Sequence, residues 1–129
     1  MAIDASVPSD HKLAAFTVMD WVGVVGAGFG VLGLLVFPLV ASTFSAMYAD
    51  FGAPSLPVLT TIVTRPWLPL VLALVPSGLL VFGLRPRVSL GHRRLRVVAA
   101  FLLSWIFVGV SGVGLYLPVF AIAGAISAE

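Results

Sequence analysis

Residues 21–49, 66–84 and 97–128 carry no charged side chain. Each stretch reaches the ~18–20 apolar residues that about 30 Å of hydrocarbon demands of a helix rising about 1.5 Å per residue. A backbone in lipid must satisfy its own N–H and C=O groups, and a helix does so within one segment. The pattern predicts an all-α integral membrane protein of three transmembrane helices, over about 17–40, 66–84 and 96–126. A polar-surfaced soluble domain is excluded by the 60% hydrophobic content and a mean hydropathy of +1.17. No small-residue cleavage pattern follows the first apolar stretch, so helix 1 is expected to remain in the mature protein. Without cysteine, disulfides, thiolate metal sites and S-acylation are ruled out.

Charge supplies an orientation. Of the seven basic residues, Arg85, Arg87, Arg93, Arg94 and Arg96 fall in the segment 85–96 between the second and third spans. Moving each through a bilayer costs about 2.5–3.5 kcal/mol, so a short arginine-rich loop stays on the cytoplasmic side. The predicted topology is N-in and C-out, with an outer segment over 41–65 in which Asp50 offsets Arg65. Residues 1–12 read as a flexible cytoplasmic arm, and the whole of 1–129 as one membrane domain. Asp20 and Trp21 are expected at headgroup level. The clustering of the arginines beside a membrane rejects nucleic acid as their partner. It favours anionic lipid headgroups, at about 1 kcal/mol per arginine, or an acidic protein surface.

Gly23, Gly26, Gly30 and Gly33 recur at helical spacing on one face of helix 1. Lipid tails are as apolar as leucine, so transmembrane helices associate by close backbone packing, which a glycine stripe permits. The stripe can serve a neighbouring helix of the same chain or a second copy. Gly109 and Gly112 share a face of helix 3 and are candidates to receive it, while Ser104 and Ser111 are candidates for hydrogen bonds to a neighbouring helix. Beyond Val40, the spacing of Phe44, Met47, Tyr48 and Phe51 predicts an amphipathic continuation of helix 1. Gly52 can cap it and Pro54 stops it. A short interfacial helix follows over about 57–64, introduced by Ser55, Leu56 and Pro57. Pro76 and Pro118 are expected to kink helices 2 and 3, with Ser77 bonding back to a freed carbonyl.

The segment from Phe37 to Val63 resembles the F family of inner-membrane platform proteins from type II secretion and type IV pilus assembly. Pro38, Phe44, Phe51, Gly52, Ala53, Leu56, Pro57 and Thr60 follow the order of that family's outer turn. Leu117, Pro118, Val119 and Phe120 match the Leu-Pro-Ile-Phe element of its last span. The resemblance implies the same membrane skeleton and orientation in a bacterial inner membrane, and a place in a secretion-like or pilus-like assembly. It covers the membrane part alone, without the family's cytoplasmic domains.

Nothing in the sequence points to chemistry. His11 and His92 both map to the cytoplasmic side, so a bis-histidine haem within the membrane is not available. HExxH, GxSxG and P-loop motifs and paired carboxylates are lacking. The expectation is a non-enzymatic scaffold or accessory subunit with no cofactor. It would act through helix packing at the glycine face, at the outer turn (Phe51, Gly52, Leu56, Pro57) and at Pro118, with other membrane subunits or a second copy as partner. Two alternatives stay open. One is a channel or transporter subunit lined by Ser104 and Ser111, and the other an accessory subunit of a respiratory or photosynthetic complex.

Overall fold

The computed structural model describes residues 16–50 and 57–127, which form helices α1 (Val18–Asp50), α2 (Val58–Val63), α3 (Trp67–Gly83) and α4 (Leu90–Ile126). No strand occurs among the described residues. Of the expected features, the arm 1–12 and the outer-turn residues Phe51, Gly52 and Leu56 lie outside the described residues. Pro57 is described and occupies the N-cap position of α2 in an extended conformation, φ −50° and ψ 143°.

The two long helices, α1 of 33 residues and α4 of 37, are each long and apolar enough to cross a membrane. Helix α3, expected over 66–84, has 17 residues and reaches about 26 Å at the helical rise. Helix α1 continues unbroken to Asp50, through Pro38.

The start of α4 corrects the expected loop. The segment 85–96 was predicted to be a loop throughout, but the helix begins at Leu90 and takes Arg93, Arg94 and Arg96 into its first two turns. Only the stretch up to Ser89 is a connection. Pro86 sits at the second position of a turn closed by the Val88 N–H on the Arg85 carbonyl (3.2 Å). Ser89 then takes the N-cap position, its hydroxyl 2.7 Å from His92 Nδ1. Arginine has good helix propensity, so a basic run after a capping residue extends a helix rather than interrupting it.

Helices α1 and α4 run parallel. Asp20 meets Arg93, Gly23 meets Val97, Gly30 meets Ser104 and Gly33 meets Val108, so both chains advance in step. Beyond Pro38 they do not. Tyr48 bonds the Leu115 carbonyl, so 48 − 33 = 15 residues of α1 are matched by 115 − 108 = 7 of α4. Helix α3 packs against both in the opposite sense, its end at Gly83 lying against Arg96.

The residues that fill the interior are mostly small: Ala27, Ala41, Ala73, Ala100, Ser104 and Ser111, with Leu34, Val97 and Leu115 the larger exceptions. Large apolar side chains point outward instead. Val25, Phe29 and Leu39 of α1, Leu74 and Val81 of α3, and Leu102, Ile106 and Val113 of α4 are all exposed.

Candidate functional site

Polar and charged groups gather at the two ends of the bundle, and a glycine seam joins them. At one end lies Asp20, only 3% exposed although it is ionisable. Its Oδ2 accepts the backbone N–H of Thr17 at 3.1 Å, the reach from third helical position to N-cap that forms half of a capping box. The same oxygen accepts Arg93 Nη2 at 3.1 Å, an ion pair whose side chains are 10% and 2% exposed. Arg93 also lies over the Phe16 ring, 4.5 Å from its centre. Arg94 is held more loosely, with Nε 3.7 Å from Asp20 Oδ1 and Nη2 donating to Thr17 Oγ1 at 3.1 Å.

The remaining arginines face the other side of α4. Arg96 Nη1 donates to the Phe82 carbonyl near the end of α3 (3.0 Å), and Arg85 stacks over the Phe82 ring at 4.6 Å. Arg87 is exposed. The five arginines therefore form no single patch: Arg93 is committed to the interior, Arg94 borders α1, and Arg85 and Arg96 border α3.

Between the ends runs the glycine seam. A Cβ built on Gly23 would lie 2.6 Å from Val97 Cγ1, one on Gly26 would strike the Phe101 ring, and one on Gly30 would overlap Ser104 Oγ. At Gly33 the contact relaxes to 3.4 Å from Val108. Trp105 Nε1 donates to the Gly26 carbonyl across the same junction (3.1 Å). The stripe on α1 thus faces α4 of the same chain. It does not meet Gly109 and Gly112, which were candidates to receive it: nothing lies within 4 Å of a Cβ added at either. The receiving face carries Val97, Phe101, Ser104 and Val108 instead, because glycine against side chain interdigitates where glycine against glycine would leave a void. Ser104 is fully buried there, its hydroxyl bonding the Phe101 carbonyl of its own helix (2.9 Å), and Ser111 is 2% exposed. A pore between copies lined by these two serines would need them on an outward face.

The far end is organised by Pro118. Proline lacks an N–H, so the carbonyl four residues earlier, Gly114, loses its helical donor. The Thr60 hydroxyl of α2 fills that position at 2.6 Å, from a side chain with no exposure. One residue on, the Tyr48 hydroxyl of α1 donates to the Leu115 carbonyl at 2.6 Å. A Cβ on Gly114 would lie 2.9 Å from Val63, so the missing side chain lets α2 sit directly on the break. Pro76 in α3 is buried but differs: Ser77 donates to Ala73 (2.7 Å), not to the Leu72 carbonyl that Pro76 frees.

Sequence reasoning placed Asp20, Arg93, Thr60 and Tyr48 separately and missed their pairings. The topology held a signal for the first, since it puts Asp20 and the arginines at the same end, and an ionisable group at a span boundary seeks a partner. Among the described residues no group of three or more His, Cys, Asp or Glu could hold a metal ion. No protein family, curated protein or solved structure matches this chain.

Proposed function

We propose that this chain is a three-span protein of a bacterial inner membrane, with its arginine-bearing end in the cytoplasm, and that it serves as a scaffold or accessory subunit through helix packing. The observation carrying this reading is the distribution of side-chain size. Small residues and glycine–side chain contacts close the interior, while large apolar side chains cover the outside of all three longer helices. Such a surface suits contact with lipid tails and with the helices of other subunits. A secretion-like or pilus-like assembly is the setting that the outer-turn resemblance suggests.

The orientation rests on the five arginines at one end of the bundle. The cysteine-free sequence makes it directly testable. Arg87→Cys and Val58→Cys, labelled in intact cells with a membrane-impermeant maleimide, are expected to react from opposite sides, Val58→Cys from outside. Labelling of both from the same side would refute the three-span topology. Purification from native membranes in mild detergent, followed by identification of what copurifies, tests the scaffold role. A chain that copurifies with no other membrane protein would overturn it.

A further inference from the structure

Beside the ion pair, the α1–α4 junction opens into a pocket of about 280 Å³ lined by Thr17, Met19, Asp20, Arg94, Val97 and Val98. Three of these groups are apolar and continue the exposed hydrophobic surface of the two helices, and the charged groups sit only at its end. The charge there is unbalanced. Asp20 carries one negative charge and spends one oxygen on both Arg93 and the Thr17 N–H, leaving Arg94 with a single long contact of 3.7 Å to the other oxygen. Counting Asp20, Arg93 and Arg94, the cluster keeps one net positive charge. That charge is presented by Arg94, whose side chain is 57% exposed.

We infer that this pocket binds one anionic phospholipid, with its phosphate on the Arg94 guanidinium and the Thr17 hydroxyl, and an acyl chain along Met19, Val97 and Val98. A guanidinium matches a phosphate through paired N–H donors, and the apolar wall below it runs in the direction of a lipid tail. Arg93 is excluded from this role because Asp20 and Phe16 hold it inside. Arg85 and Arg96 are turned toward Phe82 on the other side of α4. The five arginines are therefore unequal, and selectivity for anionic lipid is concentrated in Arg94. The inference rests on the membrane reading above and narrows it to one site.

The full chain, reconstituted in phosphatidylcholine vesicles containing a minority of phosphatidylglycerol, is extracted in mild detergent and its retained lipids counted by native mass spectrometry. The wild type is expected to retain one phosphatidylglycerol in preference to phosphatidylcholine. Arg94→Gln is expected to lower that preference about fivefold, the loss of one arginine contact at a membrane surface. Arg94→Lys is expected to restore part of it, and Arg87→Gln to leave it unchanged. Vesicle insertion is scored separately by resistance to alkaline extraction. Insertion with equal preference in wild type and Arg94→Gln overturns the lipid site and leaves the membrane reading intact. An equal loss in Arg87→Gln and Arg94→Gln also overturns it, because it reports a diffuse charge effect. Failure of the wild type to insert overturns the membrane reading itself.

Discussion

Asp20 performs two tasks through one carboxylate, ending the backbone of α1 and balancing Arg93. Asp20→Asn separates them, since the amide oxygen can still accept the Thr17 N–H but the charge opposite Arg93 is gone. A buried arginine without its counter-charge is costly, whereas an exposed pair contributes little. Asp20→Asn is therefore expected to lower the thermal midpoint in detergent, and Arg94→Gln to shift it much less. Equal midpoints for Asp20→Asn and wild type would show that the pair does not hold the end of the bundle. At the other end, Thr60 and Tyr48 make bonds of the same length with different consequences. Thr60→Val leaves the Gly114 carbonyl with neither hydroxyl nor helical donor, a loss of about 1–3 kcal/mol. Tyr48→Phe costs about 0.6 kcal/mol, the usual scale of an interhelical bond in a membrane, because Val119 still offers its N–H to Leu115. Unfolding titrations in mixed micelles would separate the two, and a larger effect of Tyr48→Phe would refute the role assigned to Pro118.

Among the elements, α1 and α4 depend on close approach, and the glycines differ sharply in what they permit. Gly30→Ala places a methyl on Ser104 and is expected to destabilise the bundle, while Gly28→Ala enters open space and is expected to be neutral or slightly stabilising, since alanine is the better helix former. Gly109→Ala and Gly112→Ala are expected to leave the unfolding midpoint unchanged. A midpoint that falls as far for Gly28→Ala as for Gly30→Ala would show that the seam is not where helix packing is decided. The glycine stripe of α1 was legible because its spacing is a property of the helix alone. Its counterpart was not, because a receiving face need only offer side chains of the right size. Val97, Phe101 and Ser104 carry no sequence mark that separates them from lipid-facing neighbours such as Leu102 and Ile106.

For the molecule as a whole, the seam lies inside one chain. Gly26→Ile, which would drive a branched side chain into Phe101, is therefore expected to lower the stability and abundance of the monomer itself. Loss of a dimer, measured by size-exclusion chromatography with light scattering, with the monomer's stability unchanged, would contradict that placement. Charge-free length, the arginine bias and helical glycine spacing were readable from the residues in order, because hydrophobic thickness and helix geometry act on contiguous sequence. They determined the helical class, the approximate extents of the long elements and the face that α1 offers a neighbour. Tertiary structure alone decided that Arg93 turns inward to Asp20 while Arg94 stays at the surface, and that Thr60 and Tyr48 serve the carbonyls beside Pro118. Those pairings join residues more than fifty positions apart, and a hydrogen bond or ion pair is made by distance and direction in space, which spacing along a chain does not encode.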